Sequence, residues 1–333
     1  MKDLSDIIRK EFPNKKIVIV GDLVADQFLR GTINRVSREA PVFILRHDET
    51  ETLAGGAANA AVNVASLGAR AVVVGLVGKD PNGAALIRAL KNSGVNCDHL
   101  VSSEKFQTTT KVRVLAGQHY APRQQVIRID YENRSEIEPD LRQKLKEDLT
   151  KAAETADAII ISDYNYGVAD GEIAELAGRI AGERSIPLLA DSRFRLKNFP
   201  DATTATPNQE EVEDLLGKDF TEADCLKLCR ELGYRSLLVT CGNKGMILIE
   251  PGRPPIRFDA VGSKEPVDVT GAGDTVIAAY ALGLASGLSF AEAARLANHA
   301  GGIVVMKKRT ASASPDELID SLTKREAAEA KTL

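Results

Sequence analysis

The sequence predicts an α/β fold: a central, mainly parallel sheet flanked by helices, with a small β lid formed by two insertions. Short β-branched runs alternate with helical patterns along most of the chain, and two stretches of period-two character interrupt that alternation. The runs are Ile17 to Val20, Val72 to Val77, Ala158 to Ile161, Leu188 to Ala190 and Leu237 to Val239. Near-continuous apolar runs of this kind suit strands covered on both faces. Between them, Gly56 to Leu67, Gly83 to Ser93, Leu141 to Glu154, Gly171 to Gly182 and Ala223 to Leu232 carry helical spacing. The interrupting stretches, Thr32 to Thr50 and Thr108 to Tyr131, include Lys111-Val112-Arg113-Val114 and Val126-Ile127-Arg128-Ile129-Asp130. They are expected to form a separate small sheet over the mouth of the main one, with lid insertions at approximately 31–51 and 106–132 of a single 1–333 domain. From Gly271 the chain reads as consecutive helices, beginning with the apolar run Val276 to Ala285, a buried core helix.

Composition narrows the function. There are 43 basic and 47 acidic side chains, so 43 − 47 = −4, with no long run of one sign. That balance argues against nucleic acid and for a small-molecule partner. Met1 to Phe12 lacks the apolar core of a secretory signal, and no apolar run approaches the ~20 residues that span a bilayer, so a cytoplasmic chain without membrane contact is expected. Cys97, Cys225, Cys229 and Cys241 form no CxxC pair and have no nearby histidine to complete a zinc set. Cys225 and Cys229, one helical turn apart, read as buried thiols.

The chemistry concentrates in Asp268-Val269-Thr270-Gly271-Ala272-Gly273-Asp274-Thr275. Gly271, Ala272 and Gly273 let amide N–H groups converge at a helix N-terminus, making an anion hole, and Asp274 at its rim can accept a proton. Phosphoryl transfer needs that pairing. The same residues also read as a loop with a capping carboxylate. Asn208-Gln209-Glu210-Glu211 follows an extended stretch, where a carboxylate such as Glu211 can hold Mg²⁺ through water, although Asn208 and Glu211 equally fit a capping box. Gly242 and Gly245, after the strand that ends near Thr240, can admit a nucleotide or simply turn a hairpin into Met246 to Glu250. Gly55-Gly56-Ala57-Ala58-Asn59 opens a helix of small residues that a ligand can approach, while Asp22 and Asp26 suit either sugar hydroxyls or turns. Lys111, Arg113 and Arg128 sit on the lid strands, where alternation puts Lys111 and Arg113 on one face, fit either to grip a phosphate or to lie in solvent. No G-x-x-x-x-G-K-[ST] loop occurs, and Val276 stands where a dinucleotide fingerprint needs its third glycine.

The order of these motifs resembles the ribokinase or PfkB family of sugar kinases over nearly the whole chain, which implies a ribokinase-like fold and ATP as co-substrate. In that family the late aspartate is the catalytic base; carried over, it is Asp274. The resemblance also places Asp22, Asp26, Gly56 and Asn59 toward the sugar and Thr240, Gly242 and Asn298 on the nucleotide side. A narrower likeness is carried by Val36-Ser37-Arg38-Glu39-Ala40-Pro41-Val42, Gly55-Gly56-Ala57-Ala58-Asn59, Thr110-Lys111-Val112-Arg113-Val114-Leu115 and Gln124-Gln125-Val126-Ile127-Arg128-Ile129-Asp130. These are similar to the D-glycero-D-manno-heptose 7-phosphate kinase group. That implies phosphorylation of the C1 hydroxyl in ADP-heptose biosynthesis, with Mg²⁺ as cofactor and a homodimer through the lid.

Several positions depart from the pattern. Tyr166 replaces a lysine, Ser192 a proline and Arg309 a glycine, and Ala116 to Arg123 reads as extra lid sequence. No H-x-G-H occurs, the histidines being His47, His99, His119 and His299, so a kinase without a nucleotidyltransferase domain is expected. Two other readings stay open: a kinase of another sugar, sugar phosphate or nucleoside, and a sugar-binding regulator that has lost catalysis.

Overall fold

A computed structural model describes residues 3–118, 123–133, 136–262 and 265–329 of the chain. Strand β1 (Lys16–Gly21) follows helix α1 (Leu4–Lys10). The chain leaves the main sheet as a hairpin, β2 (Leu23–Val36) and β3 (Phe43–Gly56), then returns through α2 (Ala57–Ser66), β4 (Arg70–Gly78), α3 (Pro81–Asn92) and β5 (Leu100–Ser103). It leaves again as β6 (Thr110–Gly117) and β7 (Gln124–Tyr131). The body continues with α4 (Pro139–Ala153), β8 (Ala158–Asp163), α5 (Gly171–Arg184), β9 (Leu188–Ser192) and β10 (Thr204–Ala205). It is completed by α6 (Gln209–Leu216), α7 (Glu222–Glu231), β11 (Ser236–Thr240), β12 (Met246–Ile249) and β13 (Ile256–Phe258). Helices α8 (Ala272–Ala285), α9 (Phe290–Val304) and α10 (Pro315–Glu329) follow.

The main sheet has nine strands in the order β13-β12-β11-β10-β9-β8-β1-β4-β5, parallel except where β12 and β13 run antiparallel at one edge. Along β1, Ile17 and Ile19 enter one core and Val18 and Val20 the other, the alternation a doubly covered strand imposes. The first core is closed by α2, α8 and α9, the second by α4, α5 and α7. Helix α8 is buried from Asp274 to Gly283, which explains its apolar character all round. Cys225 and Cys229 are free thiols buried in the second core, and burial pushes both up to about 11.

The two interrupting stretches form a second sheet of four strands, ordered β3-β2-β6-β7. Its hairpin starts at Leu23 and returns at Gly56, beyond the expected 31–51. Strand pairing continues down to the main sheet, with Asp26 opposite Leu53 and Leu23 opposite Gly56. In consequence Asp26 and Gly55 stand at the root of the small sheet, beside the carboxyl end of β1. Register puts Asp26 beside Lys111 and Phe28 beside Arg113, so these side chains share one face. Of the extra sequence at 116–123, residues 119–122 lie outside those described.

Strands β11 and β12 form the anticipated hairpin through a short 3₁₀ turn, Gly242–Lys244. Gly245 closes it with φ +91°, and a Cβ there would stand 1.9 Å from the carbonyl oxygen of Phe258. Gly245→Ala is therefore expected to lose about 2 to 4 kcal/mol of stability from strain and overpacking. A urea midpoint unchanged from wild type would show that the turn relaxes freely.

Candidate active site

The carboxyl ends of the parallel strands supply the floor of a cleft. Asp22 follows β1, Tyr164 follows β8, Arg193 lies just past β9, Thr206 follows β10 and Thr240 ends β11. Strand order reverses between β1 and β8, and such switch points open a crevice at their carboxyl ends. Three cavities lie side by side there. The first, about 160 Å³, is mostly apolar and is walled by Thr240, Gly245, Val261 and Asn298. The middle one, about 480 Å³, is acidic and holds Asp191, Asn208 and Glu211. The third, about 230 Å³, holds Asp26, Gly55, Gly56, Lys111 and Arg113. Thr240 and Gly273 border both the first and the middle cavity, while Tyr164, Arg193, Gly271 and Asp274 border both the middle and the third.

Asp274 stands in the first turn of α8, with 4% of its surface exposed. Asn59 Nδ2 donates to its Oδ2 at 2.7 Å, and the Tyr164 hydroxyl donates to its Oδ1 at 3.0 Å. Burial raises the carboxyl to about 6 against these two donors. Gly271 caps the helix with φ +77°; a side chain there would meet Asn59 Nδ2 at 2.5 Å and push it off the carboxylate. The Ala272 N–H is turned to the Val269 carbonyl at 3.2 Å, so Ala272 drops out of the expected anion hole. The N–H groups of Gly273 and Asp274 lie in the first turn, where a helix offers no internal acceptor. A Cβ at Gly273 would meet nothing within 4 Å, so the site is open on that side.

Two residues expected at the sugar are committed elsewhere. Asp22, 1% exposed, accepts backbone N–H groups from Tyr164, Tyr166 and Val168 at 2.8, 2.9 and 2.9 Å. Its carboxylate is turned into the body because the loop after β8 needs those acceptors. Asn59, 2% exposed, donates to Asp274 while its Oδ1 accepts from Asn63 Nδ2 at 3.2 Å. One helical turn on, Asn63 Oδ1 accepts from the Thr275 hydroxyl at 2.7 Å, so α2 fastens the start of α8 at two points.

On the small sheet, Arg113 pairs with Asp26 at 2.6 Å, and both side chains are largely buried. Lys111 lies over the rings of Tyr164 and Tyr166, 6.0 and 5.8 Å from their centroids, and its burial lowers its pKa. Arg128 sits opposite Arg113 on β7, but it is exposed, pairs with Asp130 at 2.7 Å and does not line the third cavity.

On the other side, Asn208 and Glu211 form the capping box of α6 reciprocally at 2.9 Å. Glu211 Oε2 is thus engaged, and the other oxygen remains for the middle cavity. Burial raises Glu211, and burial with repulsion from Glu211 and Asp274 holds Asp191 well above the usual carboxylate range. Asn298 donates to the Asp259 carbonyl at 2.9 Å and walls the apolar cavity with Gly242 and Gly245.

Sequence reasoning missed Tyr164, Arg193, Thr206 and Thr310. Thr206 in the middle cavity and Thr310 in the third carry buried hydroxyls without a hydrogen-bond partner. A usable signal existed for three of the four, since Tyr164, Arg193 and Thr206 each lie within two positions of a parallel strand's carboxyl end.

The Asp274 environment has a measurable cost. Its folded pKa lies above the ordinary 3.8, so the stability it contributes is present below the unfolded value and is lost as pH rises through about 6. Two units correspond to about 3 kcal/mol. Asp274→Asn should therefore stabilise the fold by roughly 1 to 3 kcal/mol at pH 8 and by less at pH 5. Tm at both pH values checks this, and equal gains would contradict a desolvated carboxylate.

A family model described as pfkB family carbohydrate kinase matches residues 14–317. Among curated proteins, the bifunctional protein HldE of Klebsiella pneumoniae is 39% identical over 321 residues, covering 95% of this chain and 65% of that protein. HldE of Pasteurella multocida is 38% identical over 317 residues, covering 94% and 64%. This chain therefore spans a little under two thirds of the length of these relatives. Among solved structures, a ribokinase of Arabidopsis thaliana complexed with ribose and ATP aligns with a TM-score of 0.70 at 22% identity, over 92% of this chain and 98% of that one. Phosphofructokinase-2 of Escherichia coli with substrates and products aligns with a TM-score of 0.74 at 18% identity, over 93% and 99%. These two likenesses support the ribokinase-like fold. The family match and the HldE identity together establish that the chain belongs to the pfkB family of carbohydrate kinases, enzymes that move a phosphoryl group from ATP to a sugar.

Proposed function

We propose that this chain is a cytoplasmic kinase that uses ATP to phosphorylate the C1 hydroxyl of D-glycero-D-manno-heptose 7-phosphate, giving the 1,7-bisphosphate for ADP-heptose synthesis. The observation that carries this reading is the position of Asp274. Its buried carboxylate stands where an acidic middle cavity meets a third cavity lined by Lys111 and Arg113. The first, apolar cavity suits a nucleotide base, and a substrate that already bears a phosphate suits lid cations. The likeness to HldE proteins over almost the whole chain supports the choice of sugar.

In this mechanism Asp274, ionised above about pH 6, accepts the C1 hydroxyl proton as the oxygen attacks the γ-phosphorus. Asn59 and Tyr164 hold the carboxylate in line, and the Gly273 and Asp274 amides face the charge that spreads over the transferring group. Asp26, its Oδ1 held by Arg113, keeps its second oxygen for a sugar hydroxyl. Closure of the small sheet over the sugar excludes water. Among the described residues, no three acidic, histidine or cysteine side chains cluster closely enough to hold a metal directly. The crowded carboxylates Asp191 and Glu211, both raised by burial, nevertheless fit a hydrated cation. Glu211 would hold Mg²⁺ through water, and the ion would neutralise phosphate charge when bound. The exposed Ile127, Ile129 and Tyr131 on the outer face of β7 support pairing of the small sheet with a second copy.

An ADP-release assay across heptose, its 7-phosphate, other sugar phosphates and nucleosides tests the assignment. The 7-phosphate should be used best, and equal use of heptose would remove the sugar-phosphate reading. Asp274→Asn should slow turnover by ~10² to 10⁴, and wild-type kcat/KM should fall about tenfold per pH unit below about 6. Lys111→Ala or Arg113→Ala should raise the KM for the 7-phosphate about tenfold with little change for ATP, while Arg128→Ala, its partner being Asp130, should do less. Glu211→Gln should raise the Mg²⁺ concentration that gives half-maximal rate; an unchanged value would leave Glu211 as a cap alone.

A further inference from the structure

Arg193 lies on the loop just past β9 and borders both the middle and the third cavity, together with Tyr164, Gly271 and Asp274. Any group passing from one cavity to the other passes these four residues, and Arg193 is the cation among them. Its backbone is fixed, since its N–H donates to the Asp163 carbonyl at 3.1 Å. Next to it, Ser192 and Arg195 are both bound to the buried Asp163 carboxylate, which anchors the loop on either side. The guanidinium rests over the ring of Phe194, 5.7 Å from its centroid, and has no ion pair among the described residues. By contrast, Arg113 pairs with Asp26, Arg195 with Asp163 and Arg309 with Glu51. Arg193 also acts on the acidic groups around it, lowering Asp191 and Glu211 against burial.

We infer that Arg193 is a catalytic residue that binds the transferring phosphoryl group, bridging from the phosphate side to the sugar side as the group crosses. This rests on the kinase reading above. In the transfer, the bond from the γ-phosphorus to the leaving oxygen of ADP breaks as the bond to the sugar oxygen forms. The hydroxyl proton goes to Asp274, and negative charge spreads over the three equatorial oxygens. A planar guanidinium contacts two of those oxygens at once, which a point-charge ammonium does not. Because that charge distribution is greatest in the transition state, the contact should act on kcat more than on either KM.

The test is steady-state kinetics of wild type, Arg193→Ala and Arg193→Lys with ATP and the sugar phosphate that wild type uses best. Arg193→Ala is expected to lose 10²- to 10³-fold in kcat with each KM within about threefold of wild type, and Arg193→Lys to recover only part. Added guanidinium ion should restore activity to Arg193→Ala in a saturable way and leave wild type unaffected, a response that a merely structural arginine would not give. A raised sugar-phosphate KM with unchanged kcat would place Arg193 on the phosphate the substrate already carries and overturn the proposal. So would full kcat in the alanine variant, or loss of kcat without guanidinium rescue in a variant whose Tm matches wild type. Wild type inactive on every sugar phosphate would instead overturn the sugar-phosphate reading on which this one stands.

Discussion

The Asp22 carboxylate accepts three backbone N–H groups from the loop after β8, and the cleft is built on that contact. It sits at the switch point, where β1 and β8 are neighbours whose crossovers leave in opposite directions, and nothing in sheet pairing itself fixes the loop after β8. Burial raises its pKa, and the backbone donors work against that rise. Removing the carboxylate would leave buried N–H groups without acceptors, each costing about 1 to 3 kcal/mol. With it in place, Tyr164 is held so that its hydroxyl reaches Asp274 and its ring underlies Lys111. One buried acid thus sets the position of the second and of a cation on the other sheet.

The second acid is also held from a second direction. Helix α8 is fastened by Asn59 and Asn63, one turn apart on α2, and by the positive φ of Gly271. Asp274 is consequently held by donors from two elements, α2 and the loop after β8, that are themselves locked to the main sheet. Two donors are enough to orient the carboxylate but too few to cancel its desolvation, so it remains near 6. A carboxylate of that strength is ionised at neutral pH and can still take up a proton, a balance that a fully satisfied carboxylate such as a salt-bridged one would lose.

The layers and the Asp274 turn were legible in the sequence for one reason: both are written in local pattern. Continuous β-branched runs, 3.6-period helices and a Gly-x-Gly-Asp turn each depend on neighbours in the chain. What local pattern does not contain is the competition for a side chain's hydrogen bonds. Asp22, Asp26 and Asn59 read alike as cleft polar residues, yet only Asp26 lines the cavity, because the other two are claimed by partners more than 100 positions away. Arg193 and Tyr164 were passed over for the converse reason. Each is one polar residue past an apolar strand, and its meaning comes from which strands flank it. The Asn208–Glu211 pair shows a third case, in which a capping box and a place beside the acidic cavity coexist because the two oxygens of one carboxylate can do different things.

Arg309 shows how the small sheet is tied to this arrangement. It adopts φ +66°, the conformation suited to the glycine that the family pattern led us to expect there, at a cost of about 1 to 2 kcal/mol for a residue with a Cβ. Its backbone N–H donates to Asp268, whose other oxygen accepts from Thr270, so the loop after α9 is bound to the turn that leads into α8. Its side chain reaches across to Glu51 at 2.7 Å, and Glu51 also receives the buried Arg30 at 2.6 Å. Phe28 lies between Arg113 and Arg309, 5.4 and 6.0 Å from its ring centroid. A glycine would remove the strain and also the ion pair to Glu51 and the contact with the Phe28 ring. The ion pair and ring contact of Arg309 offset the backbone cost and join the small sheet to the loop that Asp268 ties to the turn before α8.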